Sequence, residues 1–355
     1  MTKVVITFRR NGANGGPYIS HKRIMSSSLK ESYEFVPFYY DRIRDMLNPM
    51  KMYENVKKLK EINPSIVHIT GLQLEGFVLA LLCKLAGFRS VLAVHGSSLE
   101  IKDLPLLRRV YYKLLEGWTL KNTDYSFGVS DYVGNLDIVK KYSKKYYGTI
   151  YNIPEFDHDS KEQKVLSKTD FGFKEDDLII VSTGRIIKDK GYDTLADVIL
   201  KGTWDDNVKF LIVGDGNYCE EMKRTLDSCM AGRVLFTGYR SDVKEILDLS
   251  DIFILCTRHE TLSISILEAS QMGLPCVASN VGGIPEIIEN GVEGFLCDYE
   301  NPDEFVIALQ NLVNSEELRQ KLGENSKKKI KFKFDKNRIV EDLDTLYKTI
   351  YIDKR

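Results

Sequence analysis

Short apolar runs alternate with amphipathic stretches along the 355-residue chain, and the alternation stops once and restarts. Val4–Phe8, Phe35–Phe38, Ile66–Ile69, Val91–Val94 and Tyr125–Val129 read as buried strands, with helical patterns such as Met50–Ile62 and Leu74–Ala86 between them. The polar segment NIPEFDHDSKEQ then intervenes and reads as a linker. Beyond it, Leu178–Ser182, Lys209–Val213, Val234–Phe236, Ile252–Cys256 and Cys276–Ala278 repeat the pattern. Strands separated by helices pair in parallel, and parallel sheets are covered on both faces. The expectation is two doubly wound α/β domains, residues 1–155 and 156–334, facing a cleft lined by loops at the carboxyl ends of their strands. Asp335–Ile350 reads as a helix with no strand after it, so residues 335–355 are expected to pack back on the first domain. The length suits two cores better than one.

Charge divides the chain where the pattern does. Residues 1–155 carry 23 Lys and Arg against 14 Asp and Glu, while residues 156–355 carry 27 against 37. A basic first half suits an anionic surface or substrate, or reflects drift in surface composition. No apolar run approaches the ~20 residues that span a bilayer, and the amino-terminal run is too short for a secretory signal. The six cysteines form no C-x-x-C pair and read as reduced, buried thiols, which points to a cytoplasmic protein.

The chemistry-bearing residues gather after the strands of the second half. VSTGRIIKDKGYDTL puts Arg185 just beyond a strand and Lys190 at the next helix start, where two cations would hold a diphosphate. VGDG offers Gly214 at a tight turn, and FTGYRSDV offers the Tyr239–Arg240 backbone to a planar base. RHETLSISILEA places Glu260 in a loop and Glu268 on the helix that follows, which should begin near Ser263. A carboxylate accepts two hydrogen bonds from a vicinal diol, and the amides of Thr261, Leu262 and Ser263 would face an anion. Together these groups would fit a nucleotide sugar.

STGRIIKDKGYDTL, VGDG, the two glutamates with LEA, and VGGIPEIIENGVEGFL occur in this order across roughly residues 178–300. This set resembles the retaining glycosyltransferases of family 4 that build bacterial polysaccharides and lipopolysaccharides. VHG and GVS in the first half match more loosely. The resemblance implies the GT-B fold, two Rossmann-like domains facing a cleft, and hexosyl or N-acetylhexosaminyl transfer to a hydroxyl acceptor. It assigns Arg185 and Lys190 to the donor diphosphate, Glu268 to the ribose, Glu260 to the donor sugar, and His95 to the sugar and acceptor. It also sets the loop RRNGANGGPYISHKR near the diphosphate and acceptor. Gly12, Gly15 and Gly16 would permit close approach there, with His21, Lys22 and Arg23 as acceptor contacts or surface charges. The donor would be a nucleotide sugar, by family habit a UDP-sugar. The acceptor would be a glycan or a lipid-linked one, with no metal, no cofactor and no nucleic acid involved. Closure of the two domains would assemble the site.

Other readings stay beside it. A sugar-nucleotide epimerase uses the same fold, and a non-catalytic binder would hold the donor without turnover. The amino-terminal glycines are G-x-x-G-G, which argues against a dinucleotide fingerprint. GVSDY is one glycine short of a nucleophile elbow, and DHD lies in the linker. KKKIKFKF, residues 327–334, reads as a solvated helix end. LPLLRRVYYKLLEGWTLKN, residues 104–122, reads as a helix with one face on the core; the alternative is an interfacial helix on anionic lipid, with the protein at the inner face of the membrane.

Overall fold

The structure, a computed structural model, describes residues 1–10, 16–101, 104–154, 165–227, 230 and 232–353. It divides into two units, Met1–Ile153 with Asp335–Arg355, and Pro154–Phe334. The linker segment read from the sequence falls largely on residues 155–164, outside the described residues.

The first unit contains β1 (Thr2–Arg9), α1 (Gly16–Ser26), β2 (Tyr33–Tyr40), α2 (Pro49–Ile62), β3 (Ile66–Thr70), α3 (Leu74–Ala86) and β4 (Ser90–Val94). It continues through α4 (Leu106–Asn122), β5 (Tyr125–Gly128), α5 (Asp131–Gly134), α6 (Asp137–Tyr142) and β6 (Tyr146–Thr149). All its strands pair in parallel in the order β2-β1-β3-β4-β5-β6. Val4, Ile6, Ile66, Val91 and Phe127 form the core beneath them.

The second unit repeats the scheme. It runs β7 (Leu178–Thr183), α7 (Tyr192–Lys201), β8 (Val208–Val213), α8 (Cys219–Asp227), β9 (Val234–Gly238), α9 (Val243–Asp248) and β10 (Ile252–Leu255). Then come α10 (Ile264–Met272), β11 (Cys276–Ser279), α11 (Ile284–Ile287), β12 (Gly294–Cys297), α12 (Pro302–Val313) and α13 (Glu316–Lys333). The parallel order is β12-β11-β10-β7-β8-β9. The connections turn one way from β7 to β8 and the other way to β10, so the switch point lies between β7 and β10. Ligands of open α/β sheets bind outside the carboxyl ends of the strands at such a point.

The last helix, α14 (Lys336–Ile352), is capped by Asp335, whose side chain accepts from the Arg338 amide. Its residues Ile339, Leu343, Leu346, Tyr347 and Ile350 are buried in the core of the first unit. Helix α13 ends in the basic stretch as expected: Phe332 is exposed, while Ile330 and Phe334 turn inward.

Candidate active site

The loops after β7 and β10 meet at the switch point of the second sheet. Lys190, at the end of the short 3-10 turn Lys188–Lys190, places its Nζ 2.6 Å from Oε2 of Glu260. Both groups are half-buried, so the pair is less screened than one on the open surface. Arg258 ties the same loops together. Its amide donates to the Asp189 carbonyl, its Nη1 to the Lys188 carbonyl at 2.5 Å, and its Nη2 to Asp193 at 2.5 Å. Thr257 adds a hydroxyl bond to the His259 carbonyl.

Two glycines let these loops touch. Gly191 has φ +69°, and a Cβ there would lie 1.7 Å from the Cys256 carbonyl oxygen. Gly282 has φ +57°, and its Cβ would lie 1.7 Å from the Glu260 carbonyl oxygen, which also accepts from the Gly283 amide. The β11 loop therefore grips the backbone of Glu260 while Lys190 grips its side chain.

The sequence-derived residues fall out as follows. Arg185 lies on the same loop as Lys190 and is exposed, with no side-chain ion pair among the described residues. Gly214 sits against Gly184 in the neighbouring β8 loop, and Gly184 donates to Val213. Tyr239 is exposed beyond β9, and Arg240 is held by both oxygens of Asp242. Ser263 is the cap of α10, its hydroxyl accepting from the Ile266 amide, so the helix starts one residue later than Ser263. Thr261 and Leu262 precede the cap, and the free helix-start amides are those of Ile264 and Ser265. Glu268 is half-buried on α10. Gly12 and Gly15 lie outside the described residues, as does the DHD segment; Gly16 opens α1.

The first unit corrects one expectation. His21 and Arg23 are neither surface charges nor exposed acceptor contacts, because α1 turns both inward. His21 is 1% exposed with Nδ1 3.1 Å from the Thr7 carbonyl, and Arg23 donates to the Ile153 carbonyl at 2.9 Å. Lys22 between them is exposed. A carbonyl only accepts, so His21 carries its proton on Nδ1 and presents a bare Nε2.

That imidazole belongs to a group which sequence reasoning missed. His68, on β3, is fully buried, and its ring lies 4.8 Å from that of His21, edge to face. His68 Nδ1 is 2.7 Å from the Tyr347 hydroxyl of α14. His95 follows β4 and is half-buried. The Nε2 atoms of all three histidines are buried without a hydrogen-bond partner among the described residues. Burial lowers His21 to about 4 and His95 to about 3, and holds His68 well below the usual imidazole value; mutual repulsion adds to the effect on His68 and His95. All three are neutral at pH 7.

Glu116 of α4 was missed as well. It is fully buried, accepting from the Ser98 amide at 2.8 Å and the Ser97 hydroxyl at 2.5 Å, and so fixes the loop that follows His95. Desolvation raises its pKa against the pull of those bonds. A cavity of about 380 Å³ opens at the amino-terminal ends of β4 and β5, beside Cys83, Phe88, Arg89 and Asp124. Among the described residues no cluster of His, Cys, Asp and Glu has the makings of a metal site.

The chain is similar to known proteins in sequence and in fold. Residues 164–329 match the model of the glycosyl transferases group 1 family. The chain is 28% identical over 208 residues to the N-acetyl-alpha-D-glucosaminyl L-malate synthase of Bacillus anthracis, covering 58% of this chain and 55% of that relative. It is 29% identical over 322 residues to the Escherichia coli UDP-Gal:alpha-D-GlcNAc-diphosphoundecaprenol alpha-1,3-galactosyltransferase, covering 88% of this chain and 80% of that one. Among solved structures, Anabaena Alr3699/HepE in complex with UDP and glucose superposes with a TM-score of 0.82 at 16% identity, over 98% of this chain and all of that one. The match spans just over half of the Bacillus relative, and the structural likeness speaks for the fold. Residues 164–329 are thus similar to the glycosyl transferases group 1 family, and the chain has the two-sheet architecture of the GT-B fold.

Proposed function

We propose that the protein moves a hexosyl or N-acetylhexosaminyl group from a UDP-sugar to a hydroxyl acceptor, with retention at the anomeric carbon. The observation that carries the reading is the Lys190–Glu260 pair at the β7/β10 switch point, with Arg185 exposed on the same loop. An ammonium has three donors and Glu260 takes one, so Lys190 keeps donors for a phosphate oxygen. Arg185 supplies the uncompensated positive charge. Glu268 would take the ribose hydroxyls, and the Tyr239–Arg240 backbone the base.

In the reaction the bond from the anomeric carbon to the diphosphate oxygen breaks, and the acceptor oxygen bonds to the same face. The acceptor's proton passes to the departing diphosphate, so no separate protein base is needed. Arg185, Lys190 and the first amides of α10 stabilise the departing charge, and a metal ion is not required. Glu260 and neutral His95 orient the sugar and the acceptor rather than attack. Relatives include a transferase acting on a diphosphoundecaprenol-linked sugar, and the basic first half suits such an anionic, lipid-linked acceptor. Work at the inner face of the cell membrane, in surface-glycan assembly, follows from that acceptor class.

The test is nuclear magnetic resonance of UDP-glucose, UDP-galactose and UDP-N-acetylglucosamine with the protein and glycan acceptors, with and without a chelator. Release of UDP with an α-linked product, unaffected by chelation, is expected. Isomerised donor without acceptor would instead indicate an epimerase, and an inert complex a binder.

A further inference from the structure

Helix α4 turns two ways. Leu106, Leu107 and Leu114 of its first half are exposed, against the expectation of a helix with its apolar face on the core. Leu115, Glu116, Thr119 and Leu120 of its second half are buried. Glu116 is the charged residue in that set, and it is fully cut off from solvent. Taking a carboxylate out of water is costly unless hydrogen bonds replace the solvent. The bonds that Glu116 accepts come from one place, the loop that leaves β4 through His95.

In that loop, residues 95–100, every amide from Ser97 to Glu100 is taken. The Ser97 amide donates to Glu100 Oε2 at 2.8 Å, the Ser98 amide to Glu116 Oε1 at 2.8 Å, and the Leu99 amide to the Ser97 hydroxyl at 3.1 Å. The Glu100 amide donates to the Ser97 carbonyl. The Ser97 hydroxyl donates in turn to Glu116 Oε2, and the Tyr132 hydroxyl to Glu100 at 2.5 Å. The capping box of Ser97 and Glu100 thus closes the loop on itself, while Tyr132 and Glu116 fasten it to the helices beyond. Of these two, Glu116 takes hold nearer to His95, at the two serines that follow Gly96. Gly96 has φ +134°, so the bend beside His95 is one that only glycine adopts readily.

We propose that Glu116 is a positioning residue for the transfer reaction: by gripping Ser97 and Ser98 it fixes the direction in which His95 presents its imidazole. The inference rests on the orienting role given to His95 under the transfer reading. A misplacement of about 1 Å in such a group can cost on the order of a hundredfold in rate. Gln at this position keeps an oxygen for the Ser98 amide and an NH2 for the Ser97 oxygen, whereas Ala offers neither.

The test compares full-length Glu116→Ala and Glu116→Gln with wild type by UDP release and by the His95 imidazole signals in nitrogen-15 NMR, assigned with His95→Asn. Glu116→Ala should lower kcat by on the order of a hundredfold, leave the KM for the UDP-sugar within about twofold, and shift or broaden the His95 signals. Glu116→Gln should recover most of the rate and the wild-type signals. Should Glu116→Ala fail to fold, Ser97→Ala removes the hydroxyl bond alone and should lower kcat about tenfold with KM again unchanged. An unaltered rate or an unaltered His95 spectrum in the folded variant overturns the proposal. So does a Gln variant as slow as the Ala one, or a loss that falls on KM instead of kcat. If wild type transfers no sugar from any donor, the transfer reading fails, and the spectra still decide whether Glu116 sets the position of His95.

Discussion

The Lys190–Glu260 pair joins residues seventy positions apart, and each was identified in the sequence for a separate task. What the sequence did not disclose is that they hold each other. The contact depends on how the β7 and β10 loops settle, which is tertiary information. Lys190→Met should leave a half-buried carboxylate uncompensated and cost about 1–3 kcal/mol in urea unfolding. An unchanged midpoint would mean that the pair adds nothing to the fold. The three histidines make a pH prediction. Their folded values lie below the usual 6.5, so the unfolded chain takes up protons first as pH falls. Stability from this source is full above about pH 6.5 and is lost toward pH 4, at a slope of about 4 kcal/mol per pH unit if all three titrate together. Urea titrations across that range would reveal it, and flat stability from pH 6.5 to 5 would contradict it. Written as HKR, residues 21–23 look like charges turned to solvent; only the placement of α1 against β1 shows that two of them face inward.

At the scale of elements, loop packing accounts for the glycines. Gly191→Ala and Gly282→Ala combine a positive φ with a backbone clash, whereas Gly87→Ala has the positive φ, +82°, and open space. The first two should each cost at least ~3 kcal/mol and the third only about 1 kcal/mol. Equal losses at all three positions would refute the clash account. Ten strands were legible because their apolar runs are long enough to show. β6, YYGT, and β12, GFLC, were not: each has four residues, contains a glycine and lies at a sheet edge, so neither composition nor alternation separates it from a loop. α4 misled for the opposite reason. Its apolar spacing is helical whichever way the stripe faces, and periodicity does not say whether that side meets a core or solvent.

For the whole molecule, the first unit is built from both ends of the chain. The closing helix was legible as a helix with no strand after it; its Tyr347–His68 bond was not, because it spans 279 positions. Burying one large apolar side chain is worth about 1.5–3 kcal/mol. Five from α14 together rival the 5–15 kcal/mol that stabilises a typical domain. Removing residues 335–355 should therefore unfold the first unit and spare the second. Hydrogen exchange would then show β1–β6 unprotected and β7–β12 still protected; retained protection in the first unit would contradict the assignment. The central claim is that the second unit grips a nucleotide sugar by its diphosphate. Calorimetric titration of UDP-glucose, or whichever UDP-sugar binds, into wild type and Arg185→Ala tests it most directly. The variant should melt as wild type does yet bind about thirtyfold more weakly, the worth of a charged hydrogen bond near 2 kcal/mol. Equal affinity in the two proteins, or no binding of any nucleotide sugar to wild type, would contradict the claim.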